Sequence, residues 1–167
     1  MTSTVVVTGA GSGIGAAIAA TLAQRDWRVV VTDLDLEAAR RVAAGLPNTA
    51  VRHEAVALDV TSAEAAAEVA ADVSTRLGLS AWVSNAGISF MHRFLDAPVE
   101  RFDQTVDVNL KGVFVCGQAA AREMVRTGVS GAIVNTASMA GKQGRVPYLA
   151  DYVASKFGVV GLTQAMA

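Results

Sequence analysis

The chain has 167 residues, 52% of them apolar and 17% charged, and a formal net charge of −1. This composition points to a globular chain with a real core, and the lack of a basic excess argues against a nucleic-acid partner. A lone cysteine, Cys116, leaves no internal disulfide and reads as a buried thiol. Neither a secretory leader nor a bilayer-length apolar run is visible, so a cytoplasmic protein is expected.

In chain order, Val5 to Val7 is a short β-branched run bounded by Gly9, read as a buried strand. Gly13 to Gln24 reads as a helix, with Ile14, Ile18 and Leu22 four apart. Arg28 to Thr32 is a second buried strand and Leu36 to Leu46 a second helix, with Asp35 placed to cap it. Val51 to Leu58 reads as a third strand. Thr61 and Glu64 are spaced as a capping box for a helix running to about Leu77. Ala81 to Ser84 is a fourth strand. Pro98 to Arg126 reads as one long helix after a short turn, Gly131 to Ala137 as a fifth strand, and Asp151 onward as a final helix. Strands alternate with helices, and the strands are short and apolar. The fold class expected is α/β: one domain over residues 1–167, with a doubly wound parallel sheet and helices on both faces.

The stretch VVVTGAGSGIG leaves the first strand and enters the first helix with glycines at 9, 11, 13 and 15. Bare backbone can turn sharply there and approach a pyrophosphate, which the helix N-terminus would attract. The strand–loop–helix setting makes this a dinucleotide site. Asp33 ends the second strand, where a carboxylate can accept hydrogen bonds from both adenine-ribose hydroxyls and would repel a 2′-phosphate. NAD is therefore expected rather than NADP.

Three pieces together, Thr8-Gly9-x-x-x-Gly13-Ile14-Gly15, Asn85-Ala86-Gly87 and Tyr152-x-x-x-Lys156, resemble the short-chain dehydrogenase/reductase family. The resemblance runs from Val5 to the last residue. It implies a Rossmann-type fold and an NAD site drawing on Gly9, Ser12, Gly13, Ile14 and Gly15, with Asp33 and Leu34 at the adenosine end. Asp59 and Val60 look like the pair lining the adenine pocket, and Asn85, Ala86 and Gly87 like the stretch beside the ribose. It further implies a catalytic set of Asn109, Ser138, Tyr152 and Lys156. Serine and tyrosine stand fourteen positions apart, one more than in many members, with the extra residue between Arg145 and Asp151.

The chemistry explains the residue types. Reducing a ketone by hydride transfer leaves an alkoxide that needs a proton, which a phenol can give. A neighbouring cation favours the phenolate needed for the reverse reaction. Positions four apart share a helix face, so Tyr152 and Lys156 can both face one cleft. By the resemblance, Ser138 orients the substrate oxygen and Asn109 holds a water between Lys156 and solvent. No metal site is expected: His53 and His92 are far apart and read as surface or loop residues. Tyr148 is a further candidate for the substrate mouth.

The function expected is NAD-dependent interconversion of a small secondary alcohol and a ketone, without a nucleic-acid or membrane partner. A 3-oxoacyl reductase and a non-catalytic dinucleotide-binding module are the alternatives. The resemblance also implies a homodimer or homotetramer built on the long helix and the final helix. The family continues with further strands and a substrate-covering segment that do not follow Ala167. The expectation is therefore that this polypeptide folds poorly alone or turns over slowly, with strand five, or its neighbour, left as an exposed edge.

Overall fold

A computed structural model describes residues 3–47 and 51–167. Its strands are β1 (Thr4–Val7), β2 (Arg28–Asp33), β3 (Glu54–Ala57), β4 (Leu79–Ser84) and β5 (Ala132–Asn135). All pair in parallel, in the order β3-β2-β1-β4-β5. Helices α1 (Gly13–Ala23), α2 (Leu36–Gly45) and α3 (Ala63–Leu77) connect the first four strands. From β4 the chain passes through a 3₁₀ turn at Phe94–Asp96, then α4 (Val99–Val106), a π-helical turn (Asp107–Lys111) and α5 (Gly112–Thr127). A second 3₁₀ turn, Met139–Gly141, and α6 (Ala150–Met166) follow β5.

The valine runs of β1 and β2 are buried on both faces, as parallel strands covered by helices must be. Side chains alternate across the sheet. Val6, Val30 and Trp82 join α3 and α5 in one cluster. Val5, Val7, Val29, Val31 and Val83 join α1 and α2 in the other. Burying each valine is worth roughly 1.5–3 kcal/mol, so the two layers are the main cohesive force. Cys116 lies within the first cluster, as expected.

Several boundaries differ from the sequence reading; β4, for one, begins at Leu79 rather than Ala81. The third strand is Glu54–Ala57, half-buried and shorter than Val51 to Leu58, because His53 leaves the ladder. Its Nδ1 accepts from Val29 N–H (3.2 Å) and its Nε2 pairs with the Pro47 carbonyl (3.1 Å), so this histidine ties a loop down. Ser62, not Thr61, caps α3 by accepting from Ala65 N–H, while the Thr61 hydroxyl donates to Asp59. The long helix is interrupted by the π-turn at 107–111. The fifth strand is Ala132–Asn135, shorter than Gly131 to Ala137. Asp35 caps α2 as read, accepting from Glu37 and Ala38 N–H.

β5 lies at one end of the sheet and Val134 is 54% exposed. Among the described residues no helix is long and apolar enough to cross a membrane.

Candidate dinucleotide cleft and catalytic helix

The chain leaves β1 toward β2 on one side and leaves β4 toward β5 on the other, so a crevice opens between the C-terminal ends of β1 and β4. Thr8 pins this point. Its buried hydroxyl accepts from the N–H groups of Asn85 (3.0 Å) and Ala86 (3.1 Å). The Asn85 carboxamide donates back to the carbonyls of Thr8 (3.0 Å) and Gly9 (3.1 Å). The two loops are thereby held face to face.

Two glycines are required by that closeness. Gly9 has φ +61°, and a Cβ there would lie 2.6 Å from Ala86 Cα. A Cβ on Gly15 would run into the Gly9 carbonyl oxygen and lie 2.6 Å from Asn85 Nδ2. Ser12 precedes α1 without capping it through its side chain, which leaves the first-turn N–H groups free of a side-chain partner. Gly13 opens α1, and Ile14 beside it is exposed.

Asp33 ends β2 across the loop. One carboxylate oxygen accepts from Gly11 N–H (2.9 Å) and the other from Asp35 N–H (3.1 Å). Leu34 next to it is 76% exposed. Asp59 accepts from the Thr61 N–H and hydroxyl, and Val60 is buried beside it against Gly112. Gly9, Ser12, Gly13, Ile14, Gly15, Asp33, Leu34, Asp59 and Val60, with Asn85, Ala86 and Gly87, border one cleft of about 480 Å³. That volume is in the range of small-molecule sites. The bare backbone at Gly9 and Gly15, the uncapped α1 and the carboxylate at the end of β2 fit a dinucleotide. Leu58, Ile88, Gln104 and Val108 also line the cleft. The sequence reading missed them because no motif marks them. Leu58, Ile88 and Val108 each adjoin a residue already singled out (Asp59, Gly87 and Asn109), whereas Gln104 carried no positional hint.

The other candidates gather around α6. Ser138 stands three residues past the end of β5, where it caps the 3₁₀ turn by accepting from Ala140 N–H (3.1 Å). Tyr152 and Lys156 lie one turn apart on α6, with the ammonium 5.6 Å from the centre of the phenol ring. Lys156 is 4% exposed and donates to the Thr136 carbonyl (2.7 Å), two residues before Ser138. Burial disfavours the charged amine and holds its pKa below the usual lysine range. Among the described residues it makes no ion pair.

Asn109 sits inside the π-turn, fully buried. Its Oδ1 accepts from Ile88 N–H (2.8 Å), and its Nδ2 donates to the Ile88 carbonyl (2.8 Å) and to Ser155 Oγ (3.2 Å). The carboxamide therefore joins the strand extension beside the cleft to α6. Such wide turns occur often at functional sites. Tyr148 is 54% exposed at φ +65°, and its carbonyl accepts from His92 N–H (3.0 Å). His92 lies on a loop, as read, but its Nε2 is buried without a partner.

Comparison with known proteins agrees with this geometry. The family model for short chain dehydrogenases matches residues 3–167. The chain is 41% identical, over 97% of its length, to a short-chain dehydrogenase/reductase of Armillaria gallica, and spans 63% of that relative. It is 37% identical, over 97% of its length, to a D-threitol dehydrogenase of Mycolicibacterium smegmatis, and spans 62% of it. The crystal structure of a short-chain type dehydrogenase/reductase from Mycobacterium marinum superimposes with a TM-score of 0.94 at 35% identity. That match covers 99% of this chain and 68% of the other. The chain belongs to the short-chain dehydrogenase/reductase family, oxidoreductases that use nicotinamide dinucleotides. It spans less than two thirds of the two curated relatives.

Proposed function

We propose that the chain carries the cofactor site and the acid–base apparatus of an NAD-dependent oxidoreductase interconverting a small secondary alcohol and a ketone. The observation carrying this reading is the buried ammonium of Lys156, 5.6 Å from the Tyr152 ring and bonded to the backbone just before Ser138. A buried cation without an acidic partner is unfavourable in a purely structural role.

Gly9, Ser12, Gly13, Ile14 and Gly15 would hold the pyrophosphate of NAD. Asp33 and Leu34 would hold the adenine ribose, Asp59 and Val60 the adenine, and Asn85, Ala86 and Gly87 the sugar chain toward the nicotinamide. Tyr152 and Lys156 would meet the nicotinamide ribose. A bound nicotinamide supplies the hydride donor or acceptor. Tyr152 gives a proton to the oxygen of a ketone as it is reduced, and takes one from the alcohol in reverse. Lys156 stabilises the phenolate form. Ser138 donates to the same substrate oxygen and orients it. Asn109 braces the turn behind this pair and keeps one Oδ1 lone pair for a water on the path from Lys156 to solvent.

The carboxylate of Asp33 favours NAD and speaks against a 3-oxoacyl reductase using NADP. The D-threitol dehydrogenase relative supports polyols as the first substrates to try. Exposed Phe102, Phe114 and Phe157 on α4, α5 and α6 support assembly as a dimer or tetramer through those helices.

The test is Tyr152→Phe. An enzyme of this kind loses turnover of a secondary alcohol with NAD while NADH affinity stays within about threefold, read by fluorescence titration. Wild-type protein that binds NADH but turns over none of a panel of polyols and secondary alcohols would leave the non-catalytic module standing.

A further inference from the structure

We propose that Thr105 and Asp151 form a positioning pair that sets the rotation of α6 about its own axis, and with it the direction in which Tyr152 and Lys156 point. The inference rests on the reading that α6 carries the acid–base groups.

It starts from what α6 buries. The inward residues are Asp151, Ser155, Lys156 and Val159. Three of these four are polar, while Phe157, one position from Lys156, is 45% exposed. The apolar residues of α6 form no stripe, so hydrophobic burial does not select one rotation of the helix. Close packing of Gly158 on Leu110 limits the choice, and buried hydrogen bonds complete it. Asp151, Ser155 and Val159 recur at intervals of four and make one line along the helix. Thr105 and Asn109 oppose them on α4 and the π-turn. The Thr105 hydroxyl donates to Asp151 Oδ2 at 2.7 Å, and Asn109 Nδ2 donates to Ser155 Oγ at 3.2 Å. The Ser155 hydroxyl then donates to the Tyr152 carbonyl at 2.8 Å.

The upper rung is the demanding one. Thr105 is fully buried and Asp151 is 9% exposed. Asp151 lies in the first turn of α6, where the helix dipole favours an anion. No ion pair includes it among the described residues. A small rotation of α6 would take from this carboxylate the only side-chain donor it has among the described residues while leaving it buried, and that penalty holds the helix in register. Lys156 secures the other side of α6 through the Thr136 carbonyl. Tyr152 follows Asp151 directly and stands between these two anchors. Nothing in the Tyr-x-x-x-Lys spacing requires either Thr105 or Asp151.

The test uses fluorine NMR on the full chain. The sequence has two tyrosines, so 3-fluorotyrosine in a Tyr148→Phe background reports Tyr152 alone. Asp151→Leu and Thr105→Val are expected to shift the resonance or broaden it into several. Asp151→Asn, which keeps an acceptor for Thr105, is expected to restore one line near the parent position. Val69→Ala, a core truncation on α3 with a similar loss of Tm, is expected to leave it in place. An unmoved resonance in Asp151→Leu overturns the proposal. If that variant does not fold, Thr105→Val decides it by the same criterion. In turnover assays Asp151→Leu is expected to lower kcat at least tenfold with NADH affinity within twofold, and an unchanged kcat also overturns the proposal. Wild-type protein that fails to bind NADH would overturn the functional reading instead, and the resonance would still decide whether the pair sets the rotation of α6.

Discussion

Thr8→Val tests the hinge of the cleft. The substitution keeps the shape of the side chain and removes one oxygen. That oxygen is 1% exposed with its residue and is the acceptor for two backbone donors, Asn85 N–H at 3.0 Å and Ala86 N–H at 3.1 Å. Leaving a fully buried donor unsatisfied costs about 1–3 kcal/mol, and because the Asn85 and Ala86 N–H groups are only partly buried at the cleft wall, the two together cost about that much. Against a typical domain stability of about 5–15 kcal/mol, this is a large fraction. The loss should appear in urea unfolding as a lower midpoint with an unchanged slope, because the fold and its exposed area on unfolding are the same. Thr8→Ser keeps the oxygen and loses one methyl, which costs about 0.8 kcal/mol. Dinucleotide affinity should fall with Thr8→Val and hold with Thr8→Ser, since Asn85 and Ala86 border the cleft. If Thr8→Val unfolds within about 0.5 kcal/mol of wild type, the hydroxyl is not the pin described, and the loops are held by the Asn85 carboxamide alone.

Gly9→Ala combines a left-handed φ of +61° with a Cβ 2.6 Å from Ala86 Cα, so it should destabilise the chain by about 2–4 kcal/mol and abolish NADH binding in a fluorescence titration. Asp33→Ser should improve the NADP-to-NAD affinity ratio by at least about tenfold, measured by competition, because the repelling carboxylate is gone. Burial, aided by the Asp59 charge, pushes the Cys116 thiol up from 9.0 to about 12. The native state then keeps a proton that the unfolded chain releases, so stability falls as pH rises above 9.0, by at most about 1.4 kcal/mol per pH unit, and Cys116→Ala removes that slope. Lys156 has the opposite sign. Its native pKa is lowered below 10.5, so the unfolded chain binds more protons and stability rises with pH through the window ending near 10.5. Denaturant melts of Lys156→Met across that window should lack the rise.

Much of the cleft was legible because it is built from local patterns. The β-branched runs, the glycine loop and Asp33 at a strand end sit within one strand–loop–helix–strand unit, and the structure groups them as expected. The tyrosine and lysine were legible for the same reason, since four residues is one helical turn. Boundaries suffered where a side chain outbid the ladder: His53 bonds a strand backbone and a loop carbonyl, and β3 begins after it. Ser62 displaced Thr61 as the cap because the Thr61 hydroxyl is taken by Asp59.

Sequence alone determined the alternation of strand and helix, the parallel sheet it demands, the glycine loop and the spacing of Tyr152 and Lys156, because each depends on neighbours within a few residues. Tertiary structure decided that β1 lies beside β4, so that Thr8 meets Asn85, 77 positions away. It also decided that the long helix widens at Asn109, and that α6 turns a carboxylate inward rather than a phenylalanine. Those choices are made by burial and hydrogen bonds between segments distant in the chain, and no local pattern encodes which distant partner satisfies a given buried group.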